Sequence, residues 1–411
     1  MADLTVKKLD MINPLVIASS PATQGARNVL KSSKIRPGAI VLRNYGHGAG
    51  GGSYVGPDTK AMYSGQHAVH SHGIGNQIKD VVSTLEQYCE EVRTIKKSMD
   101  SDIKLWVSVG HYSDIAKGGS WEKDWLLQTR ELIAAGADAL ELHFNTPGVA
   151  TMRNRLYDYY QLVSYCTAMI KKEAGKVPVM VKLAVENCDT LKAMRLAQAA
   201  GADAVGPTAR WKAFCFELDW RSTLARPGGG YGGTQANPII CQAIAEARTL
   251  DIKIPMFAGG GVFSYTEALK IIMAGSEMVQ LGALACSGGV GACAKLLADM
   301  EHWMDENGYS DMDSLMGDAL KLYEMPGDVS KERTKALGDA FSTASVCAEK
   351  CIGCGRCVDV CWHDAIEINN KKAVKKSNCI GCGYCFGACP VNALSVPAGE
   401  ILSSVLKKHG I

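Results

Sequence analysis

Residues 134–140 read AAGADAL, and the same design returns as AAGADAV at residues 199–205 and as MAGSEMV at residues 273–279. In each stretch the glycine follows a helical pattern, where it can take the left-handed conformation that ends a helix. An acidic residue comes next and leads into an apolar run. Because this junction between a helix end and a buried strand occurs three times, the sequence predicts a chain in which strands and helices alternate.

Eight short apolar runs follow this alternation through the first 300 residues or so, and most are apolar along their whole length, as in a parallel sheet buried on both faces. The runs are Pro14–Ser19, Ala39–Arg43, Lys104–Val109, Ala139–Phe144, Val179–Leu183, Ala204–Thr208, Ile254–Ala258 and Met278–Leu281. Eight strand–helix units favour a (β/α)₈ TIM barrel, in the α/β class. An open doubly wound sheet is the alternative, although no G-x-G-x-x-G follows the first strand.

Two cysteine combs near the C-terminus each read C-x-x-C-x-x-C-x-x-x-C, which is the ferredoxin pattern for [4Fe–4S] clusters, with the fourth cysteine reaching the other cluster. The first predicted ligand set is Cys351, Cys354, Cys357 and Cys389, and the second is Cys379, Cys382, Cys385 and Cys361. Structural zinc would leave the middle cysteine of each comb surplus, and disulfides need an oxidising compartment. Trp362 stands where the first comb would ordinarily have proline, and Cys347 is interpreted as a packing residue.

The bulk composition limits the class of protein. The chain has 411 residues, a net charge of +2, 47% hydrophobic and 21% charged residues, which gives no sign of nucleic-acid or anionic-membrane binding. No apolar run approaches the roughly 18 residues of a membrane span, and the cysteines outside the combs are scattered, as in a reducing cytoplasm. We expect a barrel over 1–297, a helical connector over 298–346 and a small α+β ferredoxin-like domain over 347–411.

Glycines gather where the seventh and eighth strands should end, at Gly259–Gly261 and at Gly282, and a further cluster spans Gly228–Gly233. The loops after strands 7 and 8 are the usual phosphate site of a TIM barrel, because glycine lets backbone N–H groups approach a phosphate closely. The alternative is that these are only tight turns. Since iron–sulfur clusters carry single electrons and most organic reductions need two, a flavin phosphate would connect the two chemistries.

The chain resembles the FMN barrels of class 1 dihydroorotate dehydrogenases, and it is most similar to dihydropyrimidine dehydrogenases, in which two [4Fe–4S] clusters follow the barrel. Besides the combs, the residues that carry the resemblance are NPLVIASSPAT (13–23), AGADALELHFNTPG (135–148), VPVMVKL (177–183), YGGT (231–234), AGGGV (258–262) and HWMDENGYSDMDSLMG (302–317).

The resemblance implies FMN and a set of residues that would hold it. Lys182 matches a lysine that faces the pyrimidine edge of the flavin; a buried lysine needs an anionic partner or a neutralised charge, and the alternative is a lysine that reaches solvent at the rim. The implied cofactor-binding residues are Ala18, Ser19, Arg43, Asn145, Lys182, Thr208, Gly233, Gly260, Gly261, Gly282 and Ala283.

Several positions depart from the family pattern. His143 replaces an asparagine, Thr146 stands where the proton-exchanging cysteine or serine should be, and Thr208-Ala209-Arg210 replaces a Thr-Asn pair that would read a pyrimidine. His143 is the first candidate for proton exchange because imidazole titrates near neutrality, although it could instead be a neutral histidine that bonds the flavin or the backbone. His111, Tyr112 and Arg210 are candidate substrate contacts, and Arg43 and Arg210 could hold a carboxylate or carbonyl group.

These observations predict an oxidoreductase, dependent on FMN and two [4Fe–4S] clusters, that reduces or forms an activated C=C bond in a small carbonyl compound. A true dihydropyrimidine or dihydroorotate dehydrogenase is the first alternative, and a non-catalytic electron relay is the second. The expected electron partner is a ferredoxin or an NAD(P)H-dependent flavoprotein subunit, in a homodimer or hetero-oligomer. The glycine-rich residues 46–53 are expected to form a mobile lid, and His67, His70 and His72 to lie on the substrate side rather than to bind metal.

Overall fold

The computed structural model describes residues 1–43, 51–55, 62–66, 84–109, 121–144, 158–185, 189–208, 211–214, 228–323, 345–380 and 382–395. The chain divides into two compact units, Met1–Leu320 and Lys321–Ile411. No helix among the described residues is long and apolar enough to cross a membrane.

The first unit contains eight parallel strands that form a nearly closed barrel. In chain order they are β1 (Leu15–Ile17), β2 (Ala39–Leu42), β5 (Lys104–Val109), β6 (Ala139–His143), β7 (Val179–Ala184), β8 (Ala204–Thr208), β11 (Phe257–Ala258) and β12 (Met278–Leu281). They pair in the order β11-β12-β1-β2-β5-β6-β7-β8.

Parallel bridges from Val205 to Met256 and from Thr208 to Gly259 join β8 to β11 and so complete the ring. The predicted TIM barrel is therefore confirmed, and the open sheet is excluded. All eight predicted strands are present, although the seventh is reduced to Phe257–Ala258.

Helices alternate with the barrel strands as the sequence predicts. Among the described residues up to 323, the α-helices are Gly25–Ser32, Leu85–Ser98, Trp121–Ala134, Tyr159–Ala174, Thr190–Ala199, Asn237–Thr249, Tyr265–Met273, Ala283–Ser287, Gly289–Glu306 and Met312–Leu315, and the 3₁₀ helices are Lys7–Leu9, Pro21–Thr23, Ser33–Ile35, Thr234–Ala236 and Asp318–Leu322. The side chain of Asp158 accepts from the Gln161 N–H and caps the helix that follows β6, as expected for an N-cap aspartate. That helix packs inward through residues spaced three and four apart, including Leu162, Cys166 and Ile170.

The recurrent junctions around 136, 201 and 275 have one physical design. Gly201 has φ +90° at the end of a helix, which favours glycine. The carboxylate of Asp203 then accepts the Val179 N–H at 2.7 Å and pairs with Lys171 at 2.6 Å. Asp203 therefore connects the start of β8 to β7 and to the helix that precedes β7.

Glu277 makes the most buried version of this junction. Its carboxylate accepts the Met256 N–H at 2.7 Å and pairs with Arg248 at 2.5 Å, and the exposed fractions of the two paired side chains are 4% and 13%. Arg248 also donates to the carbonyl groups of Gly275, Ile252 and Ile254. Burial lowers the pKa of the Arg248 guanidinium, and Glu277 opposes that shift.

Apolar side chains fill the barrel interior toward the amino ends of its strands. They are Val6, Met11, Val16, Ala39, Val41, Trp106, Ala139, Met180, Ala204, Phe257 and Met278. Trp106 and Phe257 meet edge to face, with ring centroids 5.5 Å apart. A Cβ at position 206 would lie 2.4 Å from the Phe257 ring, so glycine there makes room for the aromatic layer. The buried polar side chains of the interior lie nearer the carboxyl ends of the strands.

A second sheet is built from segments between the barrel strands. It contains β3 (Gly51–Val55), β4 (Met62–Gln66), β9 (Trp211–Phe214) and β10 (Gly228–Gly232), paired antiparallel in the order β3-β4-β10-β9. The glycine-rich residues 228–232 therefore lie in a strand rather than in a turn, because their backbone groups pair with β4 and β9. Residues 46–50 of the predicted lid lie outside the described residues.

The second unit repeats one motif. The helices Arg356–Asp359 and Tyr384–Ala388 each follow a glycine with positive φ, and the strands β13 (Ser345–Val346), β14 (Ile366–Asn369), β15 (Lys372–Lys375) and β16 (Leu394–Ser395) pair as β13-β16 and β14-β15. The helix Gly289–Glu306 runs across position 297, where we expected the barrel to end. The bounds of the expected connector, 298–346, stay a prediction, since 324–344 are not described.

Candidate functional site

Several buried polar side chains lie inside the barrel above its apolar filling, and we call four of them the polar layer: Ser108, Glu141, Lys182 and Gln280. Glu141 is 0% exposed, and one of its oxygens, Oε2, accepts a hydrogen bond from Gln280 Nε2 at 2.7 Å. Lys182 Nζ lies 3.7 Å from the same oxygen. A charged pair has thus been placed where water is excluded, which raises the strength of its electrostatic effects.

Three polar atoms of this layer have no hydrogen-bond partner among the described residues. They are Ser108 Oγ, Glu141 Oε1 and Gln280 Oε1. Buried polar groups are nearly always hydrogen-bonded, and each exception needs an explanation. Unpaired polar atoms at the catalytic end of a TIM barrel suit a polar ligand or bound water there.

Lys182 is buried, with 7% of its surface exposed, so a lysine that reaches solvent at the rim is excluded. It stands in register with His143 on β6 and with Gly206 on β8. His143 is 9% exposed and is the last residue of its strand. Two of the three catalytic candidates, His143 and Lys182, therefore lie on neighbouring strands at one level of the barrel; the third, Thr146, lies outside the described residues.

The glycine turn after β11 is packed against the backbone that begins the preceding helix. Gly261 has φ +71°, and a Cβ there would lie 2.6 Å from the Gly233 carbonyl oxygen and 2.8 Å from the Asn237 nitrogen. Gly260 also has positive φ, +143°. The turn requires glycine for both conformation and space, and it places Gly261 against the Gly233 backbone. The phosphate site expected at Gly259–Gly261 and Gly282 stays a prediction.

The other predicted cofactor contacts are placed as follows. Ala18 is buried beside Gly282, where a Cβ would lie 3.7 Å from the Ala18 Cβ, so space alone does not require glycine. Thr208 donates its hydroxyl proton to the Leu183 carbonyl at 2.9 Å, which leaves its oxygen as an acceptor. The Arg43 guanidinium donates to Gln24 Oε1 at 3.2 Å, and Ser19 and Ala283 are half-buried.

Several predicted site residues lie outside the described residues. They are His111, Tyr112, Asn145, Thr146 and Arg210, together with the histidines at 67, 70 and 72. Their roles stay predictions. Sequence reasoning also missed three members of the polar layer, Ser108, Glu141 and Gln280. A usable signal was present for one of them, since the acidic side chain of Glu141 alternates with the apolar Leu140 and Leu142 in a strand that was expected to be buried.

The eight comb cysteines line two separate cavities, divided as the ferredoxin spacing predicts. The first cavity is lined by Cys351, Cys354, Cys357 and Cys389. The second cavity is lined by Cys361, Cys379, Cys382 and Cys385. The fourth cysteine of each comb thus faces the cavity of the other comb, which is the arrangement of a two-cluster ferredoxin.

The crossing cysteines occupy equivalent positions in the repeat. Cys361 Sγ accepts the Ala365 N–H at 3.2 Å, and Cys389 Sγ accepts the Ala393 N–H at 3.2 Å. Burial opposes ionisation of Cys389, but backbone N–H groups of residues 391–394 outweigh it and lower the pKa of this thiol. Burial raises the pKa of the Cys385 thiol to about 11, so metal coordination must drive its deprotonation.

Among the described residues, no three His, Cys, Asp or Glu side chains converge closely enough to hold a single metal ion. The thiols instead surround cavities, which suits a polynuclear iron–sulfur cluster. In the barrel, the polar layer and the glycine turn fit the polar ring and the phosphate of FMN. The described donor sets are therefore compatible with both kinds of cofactor.

A closed (β/α)₈ barrel with a polar layer at its strand ends, joined to a unit with two four-cysteine cavities, defines the class as a barrel oxidoreductase of iron–sulfur type. Residues 1–304 match the family described as dihydroorotate dehydrogenase, and residues 344–396 match the 4Fe-4S dicluster domain. The chain belongs to the dihydroorotate dehydrogenase family, and it is an FMN-dependent oxidoreductase that carries a 4Fe-4S domain.

Similar proteins include subunits of two enzymes. The chain is 26% identical over 321 residues to the dihydroorotate dehydrogenase B (NAD(+)) catalytic subunit of Thermococcus kodakarensis, which covers 77% of this chain and 98% of that protein. The corresponding subunit of Methanosarcina mazei is 24% identical, with 77% and 95% covered. The NAD-dependent dihydropyrimidine dehydrogenase subunit PreA of Escherichia coli is 21% identical over 378 residues, with 87% and 85% covered.

Proposed function

We propose that this protein uses FMN and two [4Fe–4S] clusters to reduce, or to form, an activated C=C bond in a small carbonyl compound. The observation that carries the proposal is the division of eight thiols into two four-cysteine cavities, in a chain whose barrel belongs to an FMN-dependent family. Clusters transfer single electrons, so a chain built this way suits an organic reaction that exchanges electrons with a protein partner.

The chain's own residues would hold the cofactors in two places. In the barrel, Lys182 would face the ring, and Gly260, Gly261, Gly282 and Ala283 would hold the phosphate. The further proposed contacts are Ala18, Ser19, Arg43, Asn145, Thr208 and Gly233. The bound flavin would supply the exchange between one-electron and two-electron chemistry. In the second unit, each cavity would hold one cluster through its four thiolates.

Proton exchange with the substrate is proposed for His143, with Thr146 as the alternative. Imidazole titrates near neutrality, whereas a threonine hydroxyl is a poor proton donor at that pH. The buried position of His143, in register with Lys182, supports this choice. His111, Tyr112 and Arg210 remain proposed substrate contacts.

A true dihydropyrimidine or dihydroorotate dehydrogenase is the second candidate, favoured by the names of the similar proteins. Against a pyrimidine stands the Thr208-Ala209-Arg210 sequence, which lacks an amide that could pair with alternating donors and acceptors of the ring. The similar proteins are named as subunits, which supports a partner that supplies or receives electrons. A ferredoxin or an NAD(P)H-dependent flavoprotein subunit, with a homodimer or hetero-oligomer as the assembly, fits that role.

The test is reoxidation of the reduced protein by defined substrates. The chain is purified anaerobically, its flavin, iron and acid-labile sulfide are quantified, and it is reduced with a slight excess of dithionite. Uracil, thymine, orotate and a panel of enones and enamides are then added, and the return of flavin absorbance is followed.

Reoxidation by an enone or enamide but not by the three pyrimidines supports the first candidate. Reoxidation by a pyrimidine supports the second. A protein that contains flavin and clusters but is reoxidised by none of the compounds refutes both and favours the electron relay, and a protein without flavin refutes the proposal as a whole.

A further inference from the structure

Glu141 is an unusual residue for the inside of a barrel, since its carboxylate is fully buried and is surrounded by other strands. Ser108 of β5 stands in register with it on one side and Met180 of β7 on the other. Gln280 of β12 reaches across the barrel to donate to Oε2, and Lys182 Nζ is the cation near that oxygen. The carboxylate is therefore linked to side chains of two other strands, β12 and β7.

This arrangement is a poor source of stability. A buried ion pair repays its desolvation only with close geometry and satisfied hydrogen bonds. Here the Nζ–Oε2 distance is 3.7 Å, and Glu141 Oε1 has no partner among the described residues. Apolar side chains fill the layer immediately below, so apolar residues could also have filled this one. A charge kept under these conditions points to a role in the chemistry of the site.

We propose that Glu141 is a positioning residue for Lys182: it fixes the ammonium group at the strand ends and partly balances the positive charge that Lys182 presents to the flavin. The inference rests on the proposed function, since it requires the ring of FMN above the polar layer. With Glu141 ionised, the pair is close to neutral, and an anionic form of the flavin is stabilised less than it would be by an isolated lysine. Glu141 thereby sets the flavin potential lower than Lys182 alone would.

The test measures the flavin directly and does not depend on turnover. Sulfite binds to oxidised flavins to give an anionic adduct, so its affinity reports the positive charge near the ring, and the midpoint potential reports the same charge independently. Glu141→Gln keeps the shape and an acceptor for Gln280 but removes the charge. We expect sulfite to bind about tenfold more tightly and the midpoint potential to be more positive, because the variant removes the negative charge beside Lys182.

Lys182→Met should weaken sulfite binding and lower the potential. If Glu141 acts on the flavin through Lys182, Glu141→Gln should change both quantities by much less in the Lys182→Met background. A purely structural Glu141 would change FMN content and thermal stability without this dependence on Lys182. Met180→Leu, an apolar change two residues before Lys182 on the same strand, is the matched control and should leave sulfite affinity unchanged.

Equal sulfite affinity in Glu141→Gln and the parent protein, both loaded with FMN, overturns the inference while the proposed function stands. An equal shift in the Lys182→Met background also overturns it. If Glu141→Gln does not fold, Gln280→Leu serves instead, because it removes the hydrogen-bond donor to the Glu141 carboxylate. It should also tighten sulfite binding, and an unchanged sulfite affinity in this variant would likewise overturn the inference. A parent protein that binds no FMN overturns both the inference and the proposed function.

Discussion

Replacing Cys389 with alanine should remove the cluster held by the first comb and leave the other intact. Cys389 belongs to the second comb in sequence, yet it lines the cavity of Cys351, Cys354 and Cys357. A cubane cluster contains four irons and takes four thiolates. The eight thiols divide four and four, so the variant should lose about half of its iron and half of its acid-labile sulfide.

Double variants separate crossed from uncrossed ligation. Cys354→Ala combined with Cys389→Ala removes two ligands of one cavity and should lose no more iron than either change alone. Cys382→Ala combined with Cys389→Ala affects both cavities and should lose nearly all of it. Cys347→Ala is the matched control, because Cys347 lines neither cavity and its thiol donates to Glu349 at 3.1 Å.

The measurements are iron and sulfide per chain in anaerobically reconstituted protein, with electron paramagnetic resonance of the reduced state. A two-cluster protein shows signals broadened by coupling between the clusters, and a one-cluster variant should show a simple signal. Loss of both clusters in the 354/389 pair, together with loss of only one in the 382/389 pair, would refute the crossed assignment. Iron loss in Cys347→Ala would show that thiol removal destabilises the unit non-specifically.

Three further predictions concern the barrel. Glu277→Ala breaks its buried pair with Arg248 and should lower the free energy of unfolding by about 3–5 kcal/mol. The apparent Tm of the barrel transition should fall by about 5 °C or more. Asp203→Ala, at the equivalent but half-exposed junction, should lower the free energy of unfolding by only about 1–2 kcal/mol. Gly261→Ala should yield folded protein with little bound FMN, because its Cβ would meet backbone atoms at 2.6 and 2.8 Å, and a full complement of flavin in the purified variant would contradict this. His143→Asn should reduce turnover by about 100-fold or more with FMN content unchanged, and equal activity would remove His143 from the mechanism.

The strands of the barrel could be predicted because the physics that forms them is local. A strand buried on both faces is apolar throughout. The helix ends before β6, β8 and β12 need a residue in the left-handed conformation, and glycine adopts it most easily. The strand β11 is shorter than predicted because Pro255 and Met256 are joined to the neighbouring strands by single backbone hydrogen bonds without forming a continuous ladder. The cluster cavities could be predicted for a similar reason, because the spacing of the cysteines along the chain determines which thiolates can reach one cluster.

The antiparallel sheet could not be predicted in the same way. Glycine disfavours strands, and Gly228–Gly232 would be expected in a turn by composition alone. These residues form β10 because their N–H and C=O groups pair with β4 and β9, which are distant in sequence. Pairing of this kind depends on where the barrel brings the loops.

The polar layer shows the same limit in a more consequential place. Whether Glu141 faces the barrel interior depends on strand register, and its link to Gln280 crosses 139 positions of the chain. Trp106 and Phe257 seal the barrel beneath this layer, so water cannot screen the Glu141–Lys182 pair from below. A ring bound above would remove the remaining solvent, and each charge in the layer would then act on the ring through a low dielectric. If the proposed flavin covers this layer from above, the balance between Lys182 and Glu141 would control its chemistry sensitively.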